Sequence, residues 1–356
     1  MLLHHAFAPH TAALKQTRRT LGAFALACTL LAGLAGGAHA RTYHRVRHAA
    51  LPASLKVLTF GGAIAATQQK VLFTPYEQAQ KHTIGATPWD GTLDSLKKQE
   101  SLNPKRWAAL MMENSSLQVS CSLGLLVRDP TDTSNASCGQ PSATIDYAMA
   151  WDHSRFETPP NWADFWDVAR HPGRRGLRKD PRTTLEIALL ADGVPSEALY
   201  RVLNTRDGID RAFRKLDQLR PYIVWWSTPE EAARILKSGG ALMGSVPTGE
   251  ILSLPPTERE HFGIFWSQRL AVNYAWGIPK TAGQDASALA LVAWLEHPTQ
   301  KQAFANAWPS LPSLTEMASG PADLQHLPSA IPVDDTFWDT HLAELSTRFE
   351  HWATER

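Results

Sequence analysis

The sequence predicts a mixed α/β protein built on a largely parallel sheet. Three observations carry that expectation. Short apolar strand candidates alternate with helical stretches along the chain. Those helical stretches begin and end on cap residues. The chain has 356 residues, 44% of them hydrophobic, which suits about two domains with sizeable cores.

The elements follow in order. Leu55 to Phe60 is an apolar strand candidate, closed by the Gly61-Gly62 turn and followed by a helical stretch from Ala65 to Gln80. Ile84 to Thr87 reads as a second strand and Thr92 to Gln99 as a second helix. Asp180-Pro181 offers an N-cap and an N1 proline to a helix that presents Leu185, Ala188 and Leu189 and stops at Gly193 and Pro195. Thr228-Pro229-Glu230-Glu231 is a capping box, and its helix ends at Ser238-Gly239-Gly240. Leu242 to Gly244, Phe262 to Trp266 and Trp276 to Ile278 are three short strand candidates. Trp338, Leu342, Leu345, Phe349 and Trp352 form a helical stripe at the C-terminus. Neither an internal repeat nor a low-complexity linker separates the halves, so the two domains are expected to interleave.

The N-terminus sets the compartment. Lys15, Arg18 and Arg19 precede the apolar run Leu21 to Leu34, and Ala38-His39-Ala40 is a small-residue cleavage site before Arg41. That order is a secretory signal over residues 1–40, cleaved after Ala40, and the run is short for a membrane span. Arg18-Arg19 fits both an ordinary charged region and a twin-arginine signal. Cys28 lies inside the apolar run, which favours a plain leader over a lipid anchor. Residues 41–54, with Arg41, Arg45, Arg47, His44 and His48, read as an extended basic tether; two histidines four apart lack a third metal ligand. Cys121 and Cys138 then remain as an even pair in an exported chain, which reads as a disulfide, with two buried thiols as the alternative.

Charge and motif content narrow the function. Lys and Arg number 35 against 34 Asp and Glu, which excludes the basic footprint of a nucleic-acid binder. The nucleophile-elbow, zinc-protease, dinucleotide and Walker A patterns are all missing from the sequence, so no catalytic residue, metal site or cofactor is expected. The 13 tryptophans all follow the leader. Trp162, Trp166, Trp294, Trp338 and Trp352 sit on helical stripes and read as core. Trp89, Trp225, Trp226, Trp266 and Trp276 lie beside strand ends or turns, where open α/β sheets present ligands and where a ring can stack on a solute or face a cation.

A longer pattern is more specific. Trp162-Ala163-Asp164-Phe165-Trp166-Asp167 is followed by His171-Pro172-Gly173-Arg174-Arg175-Gly176-Leu177-Arg178-Lys179, then by Leu185 to Val194, Arg211 to Asp217, Ile223-Val224-Trp225-Trp226 and Trp276-Gly277-Ile278-Pro279-Lys280. In that order they resemble the periplasmic solute-binding proteins of ABC importers, of the polyamine (spermidine/putrescine) type. Cys121 and Cys138-Gly139 resemble a cysteine pair of one subgroup. The resemblance implies a two-lobed Venus-flytrap fold with interleaved lobes: residues 55–149 plus 275–308 in lobe 1, and 150–274 plus 309–356 in lobe 2. It further implies a monomer in the periplasm that closes on a small-molecule solute by hinge motion and docks on an ABC permease in the inner membrane.

Carried over position by position, the ligand site implied is Phe60 and Gly61 after the first strand, Trp89 and Asp90 after the second, Glu113 after the next, Asp180 before the Leu185 helix, and Trp225, Thr248, Glu250, Tyr274 and Trp276. Aromatics would hold an alkyl stem and carboxylates the ammonium ends of a small cationic, polyamine-like solute. Two positions depart from the family: Tyr274 stands where an aspartate is common, and Pro247-Thr248-Gly249-Glu250 replaces an aromatic-Asn-Gly-Arg turn. A sugar or small organic anion, or a diverged sensor or paralogue outside transport, is the alternative.

Overall fold

The computed structural model describes residues 54–102, 104, 106–128, 137–283, 285–312, 317 and 327–355. The chain divides into Met1–Ala49 and Ala50–Arg356, and every described residue lies in the second unit. The expected leader and nearly all of the tether therefore fall outside the described residues.

Among the described residues nine strands join in one sheet: β1 (Ser54–Thr59), β2 (Thr83–Pro88), β3 (Ala109–Glu113), β4 (Pro141–Asp152), β5 (Arg175–Arg178), β6 (Ile223–Trp226), β7 (Met243–Pro247), β8 (Phe262–Gly277) and β9 (Ile331–Pro332). Their order is β2-β1-β3-β8-β4-β7-β5-β6, with β9 beside β8. Two parallel sets form the ends. β1 runs parallel to β2 and β3 in a first half, and β5 runs parallel to β6 and β7 in a second half. Between them, β4 and β8 pair antiparallel with each other; the end of β8 pairs with β3 and the end of β4 with β7. The chain thus passes from one half to the other along β4 and returns along β8, the interleaving that the sequence led us to expect.

One expectation needs correction. Phe262 to Trp266 and Trp276 to Ile278 are not separate strands: a single 16-residue strand, β8, covers Phe262–Gly277. Polar Ser267, Gln268 and Arg269 interrupt the apolar pattern where the β4–β8 register shifts, from Tyr147 opposite Leu270 to Met149 opposite Phe265, and the strand continues through that irregularity. Arg269 is buried and donates from Nε to Asp146 Oδ2 on β4 at 2.8 Å, so its charge is matched inside the sheet.

The helices that shape the site are α1 (Gly62–Gln68), α2 (Asn114–Ser122), α3 (Trp162–Trp166), α4 (Pro181–Ala191), α5 (Arg206–Asp217), α6 (Pro229–Lys237), α7 (Thr248–Leu252) and α8 (Asp335–Thr354). The helical stretch that α1 opens runs on through a π-turn, Gln69–Phe73, to Gln80. The capping boxes behave as their chemistry requires: Asn161 with Asp164 opens α3, and Thr228 with Glu231 opens α6. The stripe of α8 buries Trp338, Leu342, Leu345, Phe349 and Trp352. Cys121 in the last turn of α2 is disulfide-bonded to Cys138 ahead of β4, with Cα atoms 5.6 Å apart.

Candidate functional site

The carboxyl ends of β1, β3, β5, β6 and β7 carry Phe60, Glu113, Arg178, Trp226 and Pro247, the ends at which open α/β sheets hold ligands. Two groups of side chains cross between the halves there.

The deeper group is ionic. Glu113, the last residue of β3, belongs to the first half, whereas Arg178 at the end of β5 and Arg182 at the start of α4 belong to the second. Arg178 donates to Glu113 Oε1 through a short contact, and Arg182 Nη1 lies 2.9 Å from Glu113 Oε2. That second contact is one of charge only, because Oε2 receives no aligned hydrogen bond. Asp180 clamps Arg182 with two bonds, Nε to Oδ1 at 2.9 Å and Nη2 to Oδ2 at 2.6 Å, and sits 3.8 Å from Arg178 Nη2. Arg182 also donates to the Ser116 hydroxyl on α2. All four charged side chains are buried, and the cluster sums to zero: two guanidiniums and two carboxylates.

The backbone explains why Arg182 faces inward. Asp180 caps α4 by accepting from Arg182 N, yet Arg182 and Thr183 are not helical, and Thr183 has φ of 64°. A β-branched residue in the left-handed region is strained by about 1–3 kcal/mol and persists only where surrounding contacts fix it. Here the kink turns Arg182 back against Asp180 and Glu113 and away from the outer face of the helix.

Electrostatics follow from that geometry. Burial alone would raise the Asp180 carboxyl, but the Arg182 and Arg178 guanidiniums hold it at about 2. Burial would lower Arg178; the Glu113 and Asp180 carboxylates instead keep it well above its ordinary value.

Aromatic rings close the cluster. Tyr147 and Tyr274, on β4 and β8, share a hydrogen bond of 2.5 Å, and Tyr274 donates to Glu113 Oε1 at 3.3 Å. The Tyr147 ring stacks on Trp226 with centroids 6.2 Å apart, and the Arg178 guanidinium lies 5.9 Å from that ring. Phe60 meets Tyr274 edge-on at 5.2 Å. Burial pushes the Tyr147 phenol up to about 12, so it stays protonated and available as a donor.

The second group lies at the start of α1. Glu250 on α7 accepts from Ala63 N with both carboxylate oxygens, at 3.1 and 3.2 Å. Gly62 has φ of +65°, and a Cβ there would stand 2.6 Å from Glu250 Oε2; only glycine admits this approach. The Glu230 carboxylate occupies the matching place beside Gly61. Burial lifts the Glu250 carboxyl to about 7, the Ala63 and Ile64 amides pull it down, and Glu230 pushes it up again.

Of the residues expected at the site, Glu113, Asp180, Tyr274 and Phe60 meet in the ionic cluster, while Gly61 and Glu250 meet at α1. Thr248, wholly buried, donates to the Ser310 carbonyl at 2.9 Å. The other four lie apart. Trp89 is buried in a small apolar cluster with Leu58 and Met112 and donates from its indole to Met111 O; Asp90 accepts from Thr92 and Ser95 in its own turn. Trp225 packs edge-on against Phe349 and Trp352 of α8. Trp276 is core, meeting Phe73. Sequence reasoning missed Arg182 and Tyr147 and met Arg178 only as part of a longer motif, whereas Trp226 is among the rings it places beside strand ends. An arginine at the second residue of a helix reads as solvent-facing, and nothing in the pattern announces the Thr183 kink.

Comparison with known proteins agrees with this architecture. The family profile of bacterial extracellular solute-binding proteins matches residues 72–330. The chain is 33% identical over 323 residues to a gamma-aminobutyric acid-binding protein of Pseudomonas aeruginosa, covering 84% of this chain and 91% of that one. Among solved structures it resembles MotA of Agrobacterium tumefaciens B6 in complex with glucopine, with a TM-score of 0.72 and 20% identity over 84% of this chain and 99% of that one. It also resembles a GABA receptor with a TM-score of 0.65 and 22% identity, covering 85% and 98%. The fold is the two-lobed periplasmic-binding-protein fold, with β4 and β8 as the strands that join its lobes. The chain belongs to the bacterial extracellular solute-binding proteins, the family that serves ABC importers.

Proposed function

We propose that this protein is the periplasmic receptor of an ABC importer for a small amino acid of the γ-aminobutyrate kind, held between the halves at Arg178, Arg182, Glu113 and Tyr274. The observation that carries the reading is the buried arginine pair. Two guanidiniums at the carboxyl ends of the strands suit a ligand carboxylate, which a planar fork binds with two charge-assisted hydrogen bonds. A polyamine offers only ammonium groups and would have to place one against Arg178 and Arg182, so a purely cationic solute is the poorer fit. The curated relative that is 33% identical carries a gamma-aminobutyric acid-binding name, which supports the same class.

The accompanying assignments belong to this proposal. Residues 1–40 are the export signal, cleaved after Ala40. Lobe 1 comprises 55–149 plus 275–308 and lobe 2 comprises 150–274 plus 309–356, and the monomer delivers its solute to an inner-membrane permease. Among the described residues no helix is long and apolar enough to cross a membrane. Because Glu113, Arg178 and Arg182 are buried, the solute enters by parting of the halves.

A thermal-shift panel of γ-aminobutyrate, spermidine, putrescine, glucose and succinate tests the assignment. At 100 times its dissociation constant a ligand adds about 2.7 kcal/mol of stability. A rise with γ-aminobutyrate alone is expected; a rise with spermidine and none with γ-aminobutyrate would overturn the assignment.

A further inference from the structure

We propose that the solute enters by inserting into the Glu113–Arg178/Arg182 ion bridge, its carboxylate taking the arginines and its ammonium taking Glu113, so that Glu113 is the specificity-determining residue. This inference rests on the function proposed above and adds the polarity of the bound solute and the reason for its selection.

The charges on the two halves are of opposite sign where they meet. Glu113 presents its carboxylate from β3, and Arg178 and Arg182 present guanidiniums from β5 and α4. Arg182 keeps its clamp without Glu113, and Arg178, whose guanidinium donates to Glu113, is the group freed for a ligand. Asp180 holds Arg182 through Nε and Nη2, and Nη1, which also donates to the Ser116 hydroxyl, is the nitrogen that faces Glu113 and would turn its second proton to a ligand. On the acid side, Glu113 Oε2 is buried and receives no hydrogen bond, so an ammonium group would supply a donor that the protein does not.

Electroneutrality then selects the solute. The cluster is balanced, and a neutral zwitterion leaves it balanced. A simple carboxylate would take the arginines and strand Glu113 as a buried, unpaired charge. A simple amine would take Glu113 and strand the arginines. Each one-ended ligand therefore loses by desolvating a charge that it does not match. The zwitterion lies with its ammonium toward β3 and α2 and its carboxylate toward β5 and α4.

The experiment compares γ-aminobutyrate with butyrate and 1-aminobutane, which each keep one end of it, by calorimetry on the oxidised protein. Wild type is expected to bind γ-aminobutyrate about 100-fold more tightly than either, since leaving a buried charge unpaired is worth a factor of about 100. In Glu113→Gln, with folding checked by circular dichroism, γ-aminobutyrate should weaken and butyrate strengthen, because the competitor for the arginines is gone. The three-ligand comparison on wild type stands even if that variant does not fold. Butyrate binding within about threefold of γ-aminobutyrate, or a Glu113→Gln variant that shifts both by the same factor, overturns the insertion. If both ligands bind equally and both are lost in Arg182→Met, the site survives and the insertion does not. If none of the three binds wild type, the proposed function falls and takes the insertion with it.

Discussion

Two carboxylates reach across from one half of this molecule to the other, and they are held in opposite ways. Glu113 meets two guanidiniums inside a cluster whose charges cancel, whereas Glu250 rests on a backbone amide of α1 with another acid, Glu230, beside it. Both are buried. The difference lies in what compensates the charge. A full counter-charge fixes protonation and geometry, as Asp180 shows by remaining near 2 despite burial. Partial charges on amides do not compensate fully, and Glu250 is lifted to about 7. The deep contact is thus held by full counter-charges, and the α1 contact, whose carboxyl is lifted to about 7, is adjustable by pH.

The largest expected effect breaks the deep contact. Arg182→Met leaves Glu113 and Asp180 short of a counter-charge and should cost about 3–5 kcal/mol of stability by urea unfolding, the usual penalty for removing one partner of a buried pair. A cost below about 1 kcal/mol would put the cluster in the class of surface pairs and end the contrast.

The next effect sharpens the comparison through pH. Glu250 and Glu186 both rise to about 7 in the folded chain; Glu186 is buried, accepting from Tyr200 and from the Trp338 indole. Their folded values exceed the unfolded ones, so the stability they lend is complete below the ordinary carboxyl range and is lost as pH rises through about 7. Unfolding free energy should therefore increase by about 3–5 kcal/mol from pH 8 to pH 5, and Glu250→Gln should remove about half of that slope. Asp180 contributes nothing to it, because its contribution is lost only on acidification toward 2. A flat profile in wild type would dissolve the distinction between the two contacts.

The smallest effect is on affinity. Trp225 lies against α8, away from both contacts, so Trp225→Ala should lower the melting temperature and leave solute affinity unchanged. A tenfold loss of affinity, about 1.4 kcal/mol, would place that ring at the site after all.

The same contrast describes what could be read from the sequence. Local signals translated directly: Asp180-Pro181 opens α4, Thr228 with Glu231 opens α6, and the apolar stripe from Trp338 to Trp352 is buried along α8. Glu113, Asp180 and Tyr274 are legible as candidate positions, because strand ends and departures from a family pattern are visible in one dimension, and the fold brings the three together. Arg182 is not legible, since its direction depends on the positive φ of Thr183. Trp276 shows the reverse error, for a ring beside a strand end can turn into the core as readily as into a cleft. β8 reads as two pieces because a buried Arg269 paired with Asp146 looks polar to any hydrophobicity pattern.

The Cys121–Cys138 bridge has a consequence for how the protein is prepared. It ties the last turn of α2, the helix that begins just after Glu113, to the segment entering β4, and so braces the acid wall of the site while leaving the arginine wall untouched. Material folded in a reducing cytosol would lack that brace, so its acid wall would be slack while its arginine wall stayed as it is. Its binding constants would then describe the redox history of the sample as much as the affinity of the receptor.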